Sequence, residues 1–514
     1  MIHKVKTYTN IWLQGHEIVI EADSNRSLPT IDIIWLPDAA IKESKERIRG
    51  TFRHSEIDIP ARKIVLNLAP SNIRKEWTRF DLPMAVALLL LCQDGQIKHT
   101  EHIQSGLFFG ELGLDGSVKR IDWLLPSVLH AIQDGYKQFF VPSDNIFELE
   151  YIEWIELYAI NHFRELADHF AWHVVLERYI SEASLDELYR TTDNFAVDFA
   201  HIKWQLVAKR ALSVWASWLH NILMVWSPWS GKTMLARALQ SILPPLQFTE
   251  ILEVSQIYSL VGLLDRDHPL IVQRPFRQVH HTASKISIVG WGRDLRPGEI
   301  SLAHKWILFF DELPEFPRAV LEVLRQPLED KLVNISRVSG TVQYPANFMF
   351  VSTMNPCPCG YHGDAEHSCS CSYAEIKRYQ SKISWPLLDR IDMILDIPRE
   401  DIDNILDTGP AISSAELRIQ VLKARSRQSQ RFEGTSIVTN SNMSSKDIDH
   451  YITLDHDSKE FLSQASRKFT LSPRVIHRSI KLARTIADML DQDDIQVQHL
   501  AEALQYRDKR VFVD

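Results

Sequence analysis

Residues Trp226 to Thr233 read W-S-P-W-S-G-K-T, and the fold turns on how this stretch is understood. It follows Asn221-Ile222-Leu223-Met224-Val225, an apolar run short enough for a buried strand, and it opens the Ala- and Leu-rich stretch Met234 to Leu243, which suits a helix. Strand, tight loop and helix are the context of a phosphate-binding loop, G-x-x-x-x-G-K-[ST]. In such a loop backbone N–H groups and a helix N-terminus converge on an anion, the lysine reaches the outer phosphates and the hydroxyl holds Mg²⁺. Gly231, Lys232 and Thr233 fit, and Ser227, Pro228 and Ser230 fill variable places. Trp226 and Trp229 stand where backbone must approach phosphate, so an indole there is expected to fill the nucleotide's space.

Other tryptophans raise the same question. Trp35, Trp77, Trp291, Trp306 and Trp385 all sit in stretches that read as glycine-demanding turns. The chain has 18 Gly, about half the usual share of roughly 7%, and counting its 14 Trp as glycine restores about 6%. The reading that unites these facts is a source that translates UGA as glycine. The competing reading takes the tryptophans as ordinary core residues.

With 514 residues the chain is long enough for two or three domains, and 45% hydrophobic with 24% charged residues is ordinary globular composition. The longest apolar run, Met84 to Cys92, is too short to span a bilayer, and the start lacks a signal-peptide pattern, so no membrane association and a cytoplasmic location are expected. A net charge of −9 gives no global field for nucleic acid, so any such contact is local. Five cysteines, four of them clustered, fit a reducing compartment and a metal better than a disulfide framework.

Residues 1–170 combine strand-like runs (His16 to Ala22, Lys63 to Asn67), a charged helix (Asp38 to Arg49) and a hairpin around Asp115-Gly116, an α+β module. Residues 171–198 read as a linker. Across 199–398 strands alternate with helices, including a helix from Ala319 to Gln326, a hairpin from Val333 to Tyr344 and a strand from Phe348 to Thr353; this predicts a doubly wound parallel sheet with its site at the strand C-termini. After a second linker, 399–414, residues 415–514 read as helices, one of them starting at Ser472-Pro473.

Asp311 and Glu312 end the apolar strand I-L-F-F. There one carboxylate can hold Mg²⁺ through water while its neighbour polarises an attacking water. Asn355, at the tip of the next long strand, can orient that water, or simply be a turn residue before Pro356. Cys357, Cys359, Cys369 and Cys371 form C-x-C-x9-C-x-C; four thiolates closing a tetrahedral Zn²⁺ site is the expectation, set against free reduced cysteines.

A-K-R-A-L at 208–212, H-N-I-L-M-V at 220–225, R-P-F-R-Q-V-H-H-T-A-S at 274–284, R-P-G-E-I-S-L-A-H at 296–304, F-F-D-E-L-P-E-F at 309–316, M-N-P-C-P-C-G at 354–360 and L-L-D-R-I-D at 387–392 together resemble the magnesium-chelatase-like AAA+ ATPases, in particular the ComM/YifB family. The resemblance covers nearly the whole chain, and the family pattern has Gly at 226, 229, 291, 306 and 385. It implies an α/β AAA+ P-loop module, with a helix-2 insert and a presensor hairpin, followed by a helical lid. It further implies ATP and Mg²⁺ as cofactors and a homo-oligomeric, hexameric ring acting on DNA, with branch migration in natural transformation as the family's role. Carried over by position, Lys232, Thr233 and Asp311 bind phosphate and Mg²⁺, Asp311 and Glu312 are the Walker B pair, and Asn355 is sensor 1. Arg390 is the arginine finger toward a neighbouring subunit and Arg474 is sensor 2; for both, the alternative is a surface salt bridge.

Lys285, Arg293 and Arg337, in the excursion before Glu299 and near the tip of the Val333 to Tyr344 hairpin, are the candidates for DNA contact; Arg274 and Arg277 are equally suited to bridging or nucleotide contact. The N-terminal module resembles the Lon-protease-like (ribosomal S5 domain 2-like) fold. A Ser-Lys dyad is missing from the places that would carry it, which hold Phe80 or Asp81 and the apolar stretch near Trp123 to Leu125, so no peptidase activity is expected. The first functional reading is an ATP-driven DNA-remodelling motor. The others are a chelatase-type ATPase subunit acting on a protein partner, and a non-hydrolysing structural protein if the tryptophans are real.

Overall fold

The computed structural model describes residues 2–507 apart from 12, 35–38, 71–77, 94–96, 172–173, 191–194, 196, 203–204, 219, 227–231, 275, 292–295, 338–339, 365, 398–410, 436 and 470. For Lys232, Thr233, Trp291, Arg337 and Gly340 only the backbone is described. The chain divides into two compact units, Met1–Tyr189 with Ile251–Ile271, and Arg190–Glu250 with Val272–Asp514.

The first unit is built on a seven-stranded mixed sheet. Its strands are β1 (His3–Ile11), β2 (Gln14–Asn25), β3 (Thr30–Ile34), β4 (Lys63–Ala69), β5 (Gly106–Phe108), β6 (Gln138–Pro142) and β7 (Glu156–Ile160), in the order β3-β4-β2-β1-β5-β6-β7. β4 shows the alternation that makes a half-buried strand, with Ile64, Leu66 and Leu68 turned inward. Helix α1 spans Ala39–His54 and α2 spans Asp81–Cys92, whose residues from Asp81 to Leu91 are all buried. The single carboxylate in that apolar helix is neutralised by Arg47 of α1, whose Nε lies 2.6 Å from Asp81 Oδ2. Asp81 is thus a structural anchor at a helix N-terminus, and Phe80 beside it is buried. The hairpin expected around Asp115-Gly116 pairs Glu111–Leu112 with Val118–Lys119, and Gly116 takes φ +91°. Within the stretch read as a linker, Leu185–Arg190 is helical.

The second unit holds a five-stranded parallel sheet. Its strands are β8 (Ile222–Trp226), β9 (Phe276–Val279), β10 (Ile307–Phe310), β13 (Met349–Met354) and β14 (Met393–Ile397), the labels β11 (Leu332–Arg337) and β12 (Gly340–Pro345) going to a separate antiparallel hairpin. The order is β9-β10-β13-β8-β14. All residues of β8, β10 and β13 are buried, the continuous apolar run of a sheet covered on both faces. Helix α3 is Leu206–Trp218, α4 Lys232–Ile242 and α5 Tyr373–Gln380; α6 (Ser414–Arg431), α7 (Pro473–Met489) and α8 (Val497–Gln505) belong to the C-terminal stretch. Leu417 and Val421 of α6 and Ile486 of α7 share one apolar cluster with Ala211 and Leu212 of α3 and with Met224. The C-terminal helices therefore bury their apolar faces against the sheet's own helical layer. The single helix expected from Ala319 to Gln326 is two, Arg318–Val323 and Arg325–Asp330. Pro327 accounts for the break, since a residue without N–H is tolerated in a first turn and not in a helix interior.

Candidate nucleotide site

Parallel pairing puts the C-terminal ends of three strands side by side. Val225 of β8 stands opposite Met354 of β13, and Phe310 of β10 opposite Ser352. Hence the loop leading to α4, the pair Asp311-Glu312 and Asn355 all leave the sheet at one edge, the place where open α/β sheets bind ligands. Asp311 is half-buried, and its Oδ1 accepts a hydrogen bond of 2.5 Å from the Thr353 hydroxyl. The same Thr353 oxygen accepts from the backbone N–H of Glu312 at 3.1 Å. Glu312 has φ +52°, uncommon for a residue with a side chain, and is exposed. One carboxylate is thus held by its neighbour strand while the next is turned outward. A half-buried Asp with a fixed oxygen and an adjacent exposed Glu is a donor set that suits a hard cation and a water.

Two of the expected cations meet. Arg390 reaches Glu329 through Nη2 and donates from Nη1 to the Pro386 carbonyl at 2.7 Å. Arg474 donates to the other oxygen of Glu329 at 2.8 Å and lies 3.2 Å from Asp389 Oδ2. The salt-bridge alternative is realised here for both, on a shared carboxylate; burial pushes Glu329 up, and the two guanidinium groups outweigh that and hold it below its ordinary range. Neither Glu329 nor Thr353 stood out in the sequence. Thr353 could have been picked as the hydroxyl residue closing the strand before Asn355; Glu329 gives no local signal.

Beneath these arginines lies Asp392, at the start of β14. Its Oδ1 is 3.0 Å from Arg478 Nη1 and its Oδ2 is 2.9 Å from His220 Nδ1. Burial drives the His220 imidazole down to about 3, against the pull of Asp392. This cluster ties α7 to the entry of β8, since the Asn221 N–H also donates to Asp392 Oδ2 at 3.0 Å.

The tryptophans do not behave alike. Trp226 ends β8 fully buried in the apolar cluster, and its indole N–H has no hydrogen-bond partner among the described residues. Its ring is therefore turned into the core and not into the phosphate space, contrary to expectation, and the orphaned N–H costs about 1–3 kcal/mol. Trp218, the last residue of α3, is likewise fully buried, and its indole N–H has no hydrogen-bond partner among the described residues. Trp123 takes φ +65° at a helix start, a conformation natural to glycine and an outlier for a bulky residue. By contrast, the Trp215 N–H donates to the His220 carbonyl at 2.6 Å and Trp385 is 60% exposed, so each accommodates its indole. Trp35, Trp77 and Trp229 lie outside the described residues, as do Ser227, Pro228, Ser230 and Gly231 and the side chains of Lys232, Thr233 and Trp291.

Three family models match in sequence order: subunit ChlI of Mg-chelatase over residues 20–145, magnesium chelatase subunit ChlI over 198–405, and the ChlI C-terminal region over 411–507. Among relatives, the YifB protein of Salmonella typhimurium is 35% identical over 505 residues, covering 98% of this chain and 96% of its own length. The competence protein ComM of Haemophilus influenzae is 34% identical, with 98% and 97% covered. Rv2897c of Mycobacterium tuberculosis is 33% identical, with 96% of each chain covered. The chain belongs to the magnesium-chelatase-like ComM/YifB family. Its α/β module is of the AAA+ type, and the family implies ATP and Mg²⁺.

The remaining candidates of this ComM/YifB chain fall into two groups. Arg274 is buried and saturated, donating at 2.7 Å to the carbonyls of Pro244 and Lys305 and pairing with Glu250 at 2.9 Å. Arg277 makes a two-pronged contact with Glu299 at 2.8 and 2.7 Å. Both are internal braces. Lys285, itself exposed, begins a short helix, Lys285–Val289, that buries Ile288; Arg293 and the Arg337 side chain lie outside the described residues. Among the described residues no helix is long and apolar enough to cross a membrane.

Proposed function

We propose that this chain forms a hexameric cytoplasmic ring that hydrolyses ATP between subunits and uses the work to remodel branched DNA. The single observation that carries the ATP reading is that the C-terminal end of β8, with α4 following it in the chain, lies at the same edge of the parallel sheet as Asp311-Glu312 and Asn355. In this reading Trp226 and Trp229 are glycine in the cell, and residues 226–231 cradle the triphosphate with Lys232. Thr233 and Asp311 hold Mg²⁺, whose contribution when bound is to neutralise phosphate charge. Glu312 polarises water and Asn355 orients it. Arg390, released from Glu329, serves the nucleotide of the adjacent subunit, and Arg474 beside it serves as sensor 2. A guanidinium supplied across an interface makes hydrolysis depend on assembly.

The DNA reading is supported by the competence protein among full-length relatives and by the hairpin β11–β12, with Arg337 at its tip, joined by Lys285 and Arg293. The domain reading goes with it: a Lon-protease-like module in 1–170 with no peptidase activity, the AAA+ core in 199–398 and a helical lid in 415–514. The test is ATP turnover by full-length protein carrying glycine at 226 and 229, with a four-way DNA junction, linear duplex or no DNA. Stimulation by the junction above duplex is expected; turnover indifferent to DNA would favour the second reading, a chelatase-type subunit acting on a protein partner, which the family descriptions support.

A further inference from the structure

We infer that the loop between β13 and α5 is a zinc clasp, one Zn²⁺ held by Cys357, Cys359, Cys369 and Cys371. The ligand sulfurs of all four lie within 4.8 Å of one another. Individual separations are 3.3 Å for Cys357 to Cys359, 3.6 Å for Cys357 to Cys369 and 3.5 Å for Cys359 to Cys369. A tetrahedral tetrathiolate with Zn–S bonds of about 2.3 Å has sulfur-to-sulfur edges of about 3.8 Å. A disulfide would need sulfurs at about 2.05 Å. The gathering is therefore too loose for bonded pairs and has the size of a cage around one ion.

The backbone supports the same assignment. The Gly360 N–H donates to the Cys357 carbonyl at 3.0 Å, a tight turn that holds Cys357 and Cys359 side by side, and Gly360 makes it at φ +86°. Soft sulfur ligands in a closed, four-coordinate set select Zn²⁺ over hard cations.

The clasp has a position that matters. It joins the residues just after Asn355 to those just before Ser372, which caps α5. From the far end of α5, Gln380 donates to the Pro356 carbonyl at 2.8 Å. Zinc thus closes the loop between Asn355 and α5, and α5 in turn holds the Pro356 carbonyl next to Asn355. The sulfur geometry stands independently of the nucleotide reading, so the two can fail separately.

The test is elemental analysis of full-length protein purified without chelator, with parallel thiol titration. One zinc per chain is expected, released in step with modification of four thiols, while Cys369→Ser retains about a tenth or less and Cys92→Ser retains all of it. Folded protein without zinc, two disulfides by mass spectrometry, or zinc unaffected by Cys369→Ser overturns the assignment. Should Cys369→Ser fail to fold, cobalt exchange into the unaltered chain decides: the intense visible bands of a tetrahedral tetrathiolate are expected, and the pale spectrum of a six-coordinate ion contradicts it.

Discussion

Strands β8 and β13 lie side by side, parallel, and release the chain at the same edge, yet the loops that follow them read very differently. After β13 every level agrees: four sulfurs at cage distance, a backbone turn from Gly360 to the Cys357 carbonyl, and a glycine where that turn needs one. At β8 the levels conflict. The strand and the following helix form as the pattern requires, but Trp226 and Trp218 each carry an orphaned N–H into the core. When local chemistry contradicts a backbone that is otherwise consistent, the residue identity is the weaker premise. The conflict is absent at Trp215, whose N–H is paired, and at Trp385, which is exposed.

The largest effect that would sharpen this comparison concerns Arg390. In the glycine form of the protein, Arg390→Ala should lower ATP turnover by about 10³–10⁵ while leaving nucleotide binding intact, the signature of a charge needed only in the transition state. A fall in binding of the same size would make Arg390 an ordinary contact and the Glu329 salt bridge its main role.

Next comes the Asp392 cluster beneath β8. Asp392→Ala removes the partner of the half-buried Arg478 and of His220 and should cost about 1–3 kcal/mol in denaturant unfolding. The pH dependence has a definite sign. Burial pushes the Asp392 carboxyl up, but Arg478 and His220 more than reverse this and hold it well below the ordinary range. Its stabilisation is complete above the unfolded value of about 3.9 and is lost as pH falls below it. His220 acts in the same direction: buried and held near 3, it withholds stability as pH falls below about 6.5. Unfolding free energy should therefore drop from pH 7 toward pH 4, and equal stability at both would contradict the cluster as described.

A smaller effect belongs to Thr353. Thr353→Val keeps the strand's shape and removes the hydrogen bond to Asp311, so stability should fall by about 1 kcal/mol. Turnover should fall with a greater Mg²⁺ requirement, measured by titrating the metal at saturating ATP. An unchanged Mg²⁺ dependence would free Asp311 from the role assigned to it.

Much of the second unit was legible because its strands are short apolar runs ending in chemically distinctive residues: Asp311, Asn355 and the W-S-P-W-S-G-K-T stretch each mark a strand C-terminus. The first unit was legible as α+β from alternations such as that of β4. Strand order was not, because pairing between β8 and β13 joins residues far apart in the chain, and no local pattern reports it. The meeting of Arg390, Arg474 and Glu329 was hidden for the same reason. Arg274 read as a cation for bridging or nucleotide contact and proved a buried brace, since a basic residue in a sequence gives no sign of the carbonyls that will surround it.

The most direct measurement is the mass spectrum of the tryptic peptide 211–232 from protein made in its own cell, which contains residues 218, 226 and 229. Glycine at 226 and 229 is the predicted result, with glycine also at 218, where the indole N–H is buried without a partner. Tryptophan at both 226 and 229 would contradict the phosphate-binding loop and the motor that depends on it.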